Sequence, residues 1–144
     1  MRHPLVSYPS DVDTPISHLP FSPCVVVGDL IFVSGQASVD RTGKIVVDTF
    51  EGEFRRSIEN VKAVLKTAGA DLAHVVQTRN YIGNDADLAL YNELYREYFS
   101  SQPPARTTSS QPPARTTIVN CLGTALKYEI ECIAVKPANA TNVR

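Results

Sequence analysis

The chain has 144 residues, which is enough for one domain around a single hydrophobic core. Hydrophobic residues make up 43% and charged residues 20% of the sequence, as in ordinary soluble globular proteins. With 14 Lys and Arg against 15 Asp and Glu, the formal charge of -1 excludes the strongly basic surface that binds a nucleic acid backbone. We therefore expect a single domain over residues 1–144, and no nucleic acid partner.

Membrane association and disulfide bonding are also not expected. No apolar run reaches the roughly 18 residues that a membrane-spanning helix needs, and the first residues lack the apolar stretch of a secretory signal. The cysteines, Cys24, Cys121 and Cys132, form an odd set without C-x-x-C spacing, which argues against a disulfide framework and a structural zinc site. These features predict a cytoplasmic protein with reduced cysteines.

The first third of the chain predicts an extended arm followed by a hairpin. Residues 1–20 contain four prolines and little periodicity, so we expect an arm whose order depends on a partner surface. Two apolar runs within residues 24–33 flank a turn at Gly28, a pattern that predicts a β-hairpin. A second turn is expected at residues 40–44, with a short strand over 45–47.

The next segment predicts an amphipathic helix. Apolar residues recur at steps of three and four over residues 50–68, and the charged residues fall mostly between them. Asp48 followed by Glu51 resembles a capping box, and Gly69 suits the glycine that often ends a helix. We expect this helix to run from about residue 49 to residue 68.

The second half of the chain predicts a strand, a helix and two further strands. The strand covers residues 75–82 and the helix about 87–99, and strands follow at 118–121 and 126–135. Residues 137–144 read as a polar tail. Taken in order, the elements predict an α+β fold in which two helices pack on one face of a mixed sheet.

A tandem repeat separates the second helix from the last two strands. The string Ser-Ser-Gln-Pro-Pro-Ala-Arg-Thr-Thr at residues 100–108 is repeated without change at 109–117. Pro-Pro pairs do not fit a central strand and long loop insertions cost little, so we expect a surface loop over 100–117. Each copy carries one arginine, Arg106 in the first and Arg115 in the second.

Common catalytic motifs are missing from the sequence. The histidines His3, His18 and His74 lie far apart, so no metal-ligand spacing is present and we expect neither a metal nor a cofactor. Ser34 is not framed as a G-x-S-x-G elbow, and the glycines form no phosphate-binding pattern. Polar groups at the ends of strands are therefore the remaining candidates for residues that carry chemistry.

Five strings in a fixed order resemble one protein family, the RidA/YjgF reactive-intermediate deaminases. They are Gly-Asp-Leu-Ile-Phe-Val-Ser-Gly-Gln (28–36), Asn-Val-Lys-Ala-Val-Leu (60–65), Tyr-Asn-Glu-Leu-Tyr (91–95), Pro-Pro-Ala-Arg-Thr-Thr (112–117) and Tyr-Glu-Ile-Glu-Cys-Ile-Ala-Val (128–135). The resemblance implies a chorismate-mutase-like α+β fold and a homotrimer with ligand clefts between subunits. It also implies hydrolysis of enamines or imines such as 2-aminoacrylate to 2-keto acids and ammonia, as by a 2-iminobutanoate/2-iminopropanoate deaminase.

The same resemblance implies roles for individual residues. The arginine of the Pro-Ala-Arg-Thr string binds the substrate carboxylate, and a guanidinium fork suits that task. This role falls to Arg115 or to Arg106: Arg106 keeps the usual distance from the second helix, and Arg115 nearly the usual distance to Glu129. The register of the sheet favours Arg115. Glu129 corresponds to the family's water-activating glutamate, and Ser34 with the Gly35 backbone to the floor of the cleft.

Two departures from the family pattern keep a second function open. Phe21 replaces a tyrosine, so its ring can line the pocket but offers no hydroxyl, and Thr117 replaces a cysteine. They favour, as an alternative, a non-catalytic trimer that binds small carboxylates and acts in regulation. RNA cleavage and inhibition of translation, which are attached to parts of the family, gain no support from the near-neutral charge.

Overall fold

The structure is a computed structural model that describes residues 5–99, 111–123 and 125–138. Arg106, most of the duplicated loop and the end of the polar tail lie outside the described residues. None of the helices in these ranges is long and apolar enough to cross a membrane. The elements are strands β1 (Val6–Ser7), β2 (Cys24–Val27), β3 (Leu30–Ala37), β4 (Val75–Ile82), β5 (Ala114–Val119) and β6 (Tyr128–Val135), with helices α1 (Phe50–Thr67) and α2 (Leu88–Phe99).

The six strands form one mixed sheet in the order β1-β2-β3-β6-β4-β5. β4 and β5 are parallel, and the other neighbouring strands are antiparallel. β5 is therefore an edge strand, and β6 lies in the middle of the sheet. Helix α1 packs against β3 and β6, and α2 lies beside α1, which confirms the predicted α+β architecture with two helices on one face.

Alternation along β6 shows how the sheet divides its two faces. Tyr128, Ile130, Cys132 and Ala134 are buried beneath the helices, and the residues between them point to the opposite face. This is the two-residue period of a strand. We call the two sides the helix face and the open face.

An aromatic cluster joins the helices to the sheet. The ring centroids of Phe54 and Tyr128 lie 4.6 Å apart, and Tyr91 of α2 contacts both rings at 6.2 and 6.0 Å. All three side chains are fully buried. Because each buried aromatic removes a large apolar area from water, this cluster holds the start of β6 rigidly against α1.

The capping of α1 differs from the prediction. The helix cap is Thr49, whose hydroxyl accepts a hydrogen bond from the Gly52 amide at 3.1 Å. The predicted capping box of Asp48 with Glu51 is therefore wrong, because Thr49 already satisfies the exposed amide. Gly69 confirms the predicted end of the helix, with a φ of +77° that favours glycine.

Two strand predictions are also corrected. The short strand over 45–47 is absent, and Val39 and Ile45 form only an isolated bridge. β5 begins at Ala114, earlier than predicted, because parallel pairing with β4 starts there. Arg115 consequently belongs to a strand and not to the surface loop.

From residue 5 onward, the proline-rich arm makes contacts with the rest of its own chain. Val6 pairs with Val27, which adds β1 to the sheet. Farther along, the Ile16 amide donates to the Arg41 carbonyl at 2.9 Å, and Arg41 forms a 3.0 Å ion pair with Asp13. The arm thus lies against the turn that follows β3.

Candidate active site

A β-bulge in β3 shapes the first part of the candidate site. Val33 is opposite Cys132 and Gln36 is opposite Ile130, so the two residues Ser34 and Gly35 face a single residue of β6. Such bulges bend a strand and redirect its side chains, and they are frequent beside active sites. Here the bulge brings the backbone of Gly35 against β6.

The Glu129 carboxylate lies directly against Gly35. A Cβ atom at Gly35 would overlap Oε1 of Glu129, so only glycine admits the carboxylate in this position. Glu129 is half-buried, and burial raises the pKa of its carboxyl group above the ordinary glutamate value. The neighbouring Glu131 raises it further, since a like charge disfavours ionisation.

A cavity of about 350 Å³ lies between the arm and the sheet, with Glu129 and Gly35 in its wall. The arm contributes Ile16, His18 and Leu19 to the lining, and Phe21 follows directly after the arm; Val39, Ile45 and Leu126 lie among the other lining residues. His18 and Glu129 are the two titratable side chains among the described lining residues. The cavity is therefore mostly apolar and carries one half-buried acid.

Ser34 connects the arm to the sheet next to this cavity. Its hydroxyl donates to the Ser22 carbonyl at 2.6 Å, and its amide donates to the Pro23 carbonyl at 3.0 Å. Its carbonyl accepts a hydrogen bond from the side chain of Gln36 at 3.1 Å. Ser34 thus fixes the segment that contains Phe21, while Gly35 provides the floor beside the carboxylate.

Arg115 is held on the helix face at the edge of the sheet. Its guanidinium carbon lies 5.2 Å from the ring centroid of Tyr91 and 4.9 Å from that of Tyr95. Nη1 donates to the side-chain oxygen of Asn92 at 2.9 Å. These contacts orient the guanidinium group by stacking and by a hydrogen bond. Two positions on, the hydroxyl groups of Thr117 and Tyr91 lie 2.9 Å apart.

Buried hydrogen bonds hold this tyrosine platform in place. The hydroxyl of Tyr95 lies 2.7 Å from that of Thr78. The Thr78 hydroxyl oxygen also accepts a hydrogen bond from the side-chain amide of Asn80 at 3.1 Å. Asn80 in turn accepts from the Tyr128 hydroxyl at 2.6 Å. Thr78, Asn80 and Tyr128 have no exposed surface, so the network is rigid and costly to break.

Arg115 and Glu129 do not meet within one chain. Arg115 points to the helix face, whereas Glu129 alternates with buried residues and points to the open face. In the sheet register, Glu129 lies opposite Tyr81 of β4 and Arg115 lies opposite Thr78, about 10 Å away along that strand. A site that uses both groups therefore needs two copies of the chain.

The open face of the sheet carries apolar and charged groups. Five apolar side chains on it keep between 38% and 48% of their surface exposed: Val27, Leu30, Phe32, Ile118 and Val135. Among them, the Tyr81 hydroxyl donates to the Glu131 carboxylate, and Arg79 lies 4.0 Å from the same oxygen atom. Apolar area of this extent is typical of a surface that another chain covers.

Sequence reasoning did not identify several residues of the site. Asn92 was part of the Tyr-Asn-Glu-Leu-Tyr string, but no role followed from the string alone. Ile16, Leu19 and Leu126 line the cavity through folding of distant segments, which local periodicity does not reveal. Within the described ranges, no group of three His, Cys, Asp or Glu side chains could hold a metal ion.

Comparison with known proteins identifies the family. The sequence model described as Endoribonuclease L-PSP matches residues 12–136. A RutC family protein of Saccharolobus solfataricus is 46% identical over 62% of this chain and 71% of its own length. The human 2-iminobutanoate/2-iminopropanoate deaminase is 31% identical over 81% of this chain and 80% of its own.

A solved structure agrees with this assignment. The crystal structure of the Escherichia coli YjgF gene product covers 91% of this chain and 99% of its own, with 29% identity and a TM-score of 0.76. Its name and that of the human relative match the family indicated by the five sequence strings. The chain therefore belongs to the RidA/YjgF family of reactive-intermediate deaminases.

Proposed function

We propose that this protein hydrolyses reactive enamines or imines of amino acids, such as 2-aminoacrylate, to 2-keto acids and ammonia without a cofactor. The observation that carries the proposal is the half-buried Glu129 carboxylate, which lies against Gly35 in the wall of a mostly apolar cavity. The activity in the human relative's name belongs to the same reaction class.

Glu129 is proposed as the general base and acid of this reaction. The enamine first tautomerises to its imine, which reacts in its protonated form. Glu129 accepts a proton from water as the water oxygen attacks the imine carbon, which gives a neutral carbinolamine with a hydroxyl and an amino group. Glu129 then returns the proton to the nitrogen, and ammonia leaves as the hydroxyl group gives its own proton to Glu129 and the carbonyl forms. A carboxyl group with a raised pKa suits both steps, and such proton transfer contributes about 10²–10⁴-fold in rate.

Arg115 is proposed to bind the substrate carboxylate. A guanidinium group pairs with a carboxylate through two parallel hydrogen bonds, which fixes the position of the neighbouring imine carbon. Tyr91, Tyr95 and Asn92 already orient this guanidinium group, so little side-chain freedom is lost when the substrate binds.

The proposed assembly is a chorismate-mutase-like homotrimer. Since Arg115 and Glu129 lie on opposite faces of the sheet, one protomer supplies the arginine and its neighbour the glutamate. Such a head-to-tail contact uses two different surfaces and closes into a ring. The exposed apolar side chains of the open face support burial of that face in the ring.

The first experiment measures enamine decay. A pyridoxal-phosphate-dependent dehydratase generates 2-aminoacrylate from serine, and the purified protein is expected to accelerate its loss. Arg115→Ala should abolish the acceleration, whereas Arg96→Ala, at an exposed position of α2, should not. Unchanged decay in the presence of an intact wild-type trimer overturns the proposal.

A second experiment tests whether the site is shared between protomers. Arg115→Ala and Glu129→Gln are each expected to be inactive alone. Co-expression in equal amounts should restore about a quarter of the wild-type activity, because random assembly joins an intact arginine to an intact glutamate at one interface in four. No recovery in mixed trimers contradicts the shared site.

Two observations favour a second candidate function, binding of small carboxylates without turnover. Phe21 brings no hydroxyl to the cavity, and the hydroxyl of Thr117 is already paired with that of Tyr91. Calorimetry with pyruvate distinguishes the two: binding that requires Arg115, combined with no acceleration of enamine decay, supports the regulatory trimer.

A further inference from the structure

A second carboxylate lies next to Glu129 on the open face of the sheet. Glu131 follows two residues later in β6, so strand geometry places the two Cα atoms about 7 Å apart with both side chains on the same side. In the pairing of β6 with β4, Tyr81 lies opposite Glu129 and Arg79 lies opposite Glu131. These four side chains form one group on two neighbouring strands, which we call the open-face cluster.

Within this cluster the two carboxylates have different partners. The Tyr81 hydroxyl donates to Glu131, its diagonal neighbour, instead of to Glu129 directly opposite. This hydrogen bond raises the pKa of the Tyr81 hydroxyl, so the tyrosine stays protonated and continues to donate. Arg79 lies 4.0 Å from the same oxygen atom of Glu131. Glu131 is therefore held in place, whereas no residue that the structure describes donates a hydrogen bond to the carboxylate of Glu129.

Other charged or titratable groups approach Glu129 from the remaining elements. The ammonium group of Lys127, just before β6, is bound to Glu53 of α1 at 3.0 Å. His18 lines the cavity from the arm, and β3 carries no titratable side chain. In the proposed trimer, the arginine of the neighbouring protomer is paired with the substrate carboxylate. Glu131 is the one other acidic residue in the six described strands, so it is the group that adds negative charge on the face of Glu129.

We propose that Glu131 is a positioning residue for the reaction: its negative charge, held in place by Tyr81, lets Glu129 both take a proton from water and return it to the leaving nitrogen. This inference rests on the proposed function and adds a residue to the same site. Burial raises the pKa of the Glu129 carboxyl group, and the like charge of Glu131 raises it further, so the proton taken in the first step is held until the second. Pairs of carboxylates in unlike environments commonly divide their tasks in this way.

The first test is the pH dependence of enamine decay, with the dehydratase in excess and the uncatalysed rate subtracted at each pH. Glu131→Gln removes the charge and keeps the size of the side chain, so the fall in rate at acidic pH should move to lower pH. At the pH where the wild type keeps half of its plateau rate, this variant should keep more than about 80% of its own plateau. Glu59→Gln, which removes an exposed carboxylate from α1, should leave the fall where it is. Loss of a purely structural contact would lower the rate at every pH without moving the fall.

A direct titration separates failure of this inference from failure of the proposed function. With ¹³C in the side-chain carboxyl groups of glutamate, nuclear magnetic resonance follows protonation of Glu129 without substrate, and Glu129→Gln assigns its signal. The titration curve of Glu129 should lie at lower pH in Glu131→Gln than in the wild type. Tyr81→Phe keeps the ring and releases Glu131, so it should move the curve in the same direction by a smaller amount.

These outcomes decide between the two proposals. A wild type that does not accelerate enamine decay overturns the proposed function, and the titration still decides the role of Glu131. An unmoved titration curve in Glu131→Gln, or in Tyr81→Phe where the first variant does not fold, overturns the inference. An equal shift in Glu59→Gln also overturns it, because the effect would then come from net charge and not from the open-face cluster.

Discussion

The buried carboxylate of Glu53 offers a quantitative test of how the start of β6 is held. Glu53 is in the first turn of α1 and has no exposed surface. Its oxygen atoms accept hydrogen bonds from the Lys127 amide at 3.0 Å, the Lys127 ammonium at 3.0 Å and the Asp48 amide at 3.3 Å. Lys127 lies two residues before Glu129, so this contact anchors the strand that carries the proposed catalytic acid.

Replacing Lys127 with methionine removes the charge and keeps most of the length of the side chain as well as the hydrogen bond from the backbone amide. Loss of one partner of a buried ion pair costs about 3–5 kcal/mol, because the other charge stays buried without compensation. The Lys127 side chain is 41% exposed, which lets water reach this end of the pair. We therefore expect Lys127→Met to lower the free energy of unfolding by about 2–3 kcal/mol, below the fully buried case.

The measurement is urea denaturation followed by far-ultraviolet circular dichroism, since the chain has no tryptophan to report by fluorescence. Protein concentration is held fixed, because association stabilises the folded state by mass action. Lys62→Met is the matched control, because the exposed pair of Lys62 with Glu59 should contribute less than about 1 kcal/mol. Equal destabilisation by the two variants would refute the argument from burial.

Further predictions concern the site itself. Activity should fall as the pH falls through the raised pKa of Glu129, where the base becomes protonated, and a rate of enamine decay that stays constant over that range contradicts the role of general base. Gly35→Ala should lower kcat at least tenfold with little change in urea midpoint, because its Cβ displaces the flexible carboxylate; an unchanged kcat contradicts this. Asn92→Ala should raise KM about 2–10-fold and leave kcat nearly unchanged, since it loses one hydrogen bond that orients Arg115. Phe21→Tyr should raise kcat/KM for 2-aminoacrylate about 2–10-fold by adding a hydrogen bond in the cavity, and a decrease in steady-state assays speaks against that role.

Local patterns predicted those parts of the fold that local interactions determine. The hairpin follows from two apolar runs around Gly28, which adopts a φ of +58°. Helix α1 follows from its apolar period and from Gly69. The strand over 75–82 follows from a β-rich run before Gly83 and agrees with β4.

The start of β5 could not be read from the sequence, because parallel pairing with β4 determines it. Ala-Arg-Thr-Thr has no alternation of apolar and polar residues, and it follows two prolines that indicate a loop. Strand geometry begins at Ala114 only because β4 offers an unpaired edge there. The face on which Arg115 lies was consequently beyond prediction, whereas the alternation in β6 already indicates the orientation of Glu129.

The cavity is a second feature that only tertiary structure reveals. Its arm residues lie more than a hundred positions from Glu129 in the chain, and the hydrogen bond from Ile16 to Arg41 brings them near. The prolines of the arm predict an extended backbone but not where it docks. The family resemblance pointed to Phe21, which lines this cavity, and did not extend to Ile16 or Leu19.

The two faces of the sheet carry different residues of the proposed site, so in the proposed trimer the site forms only when protomers assemble. On the helix face, buried tyrosines and hydrogen bonds fix Arg115 with a rigidity that a surface loop lacks. On the open face, partial burial raises the pKa of Glu129 while leaving the carboxylate accessible from the cavity. Within one chain these two groups stay apart, because Arg115 in β5 lies on the helix face and Glu129 in β6 lies on the open face. In the proposed trimer, contact between protomers would bring them together, so that the arginine of one chain binds the substrate and the glutamate of the next chain transfers the protons.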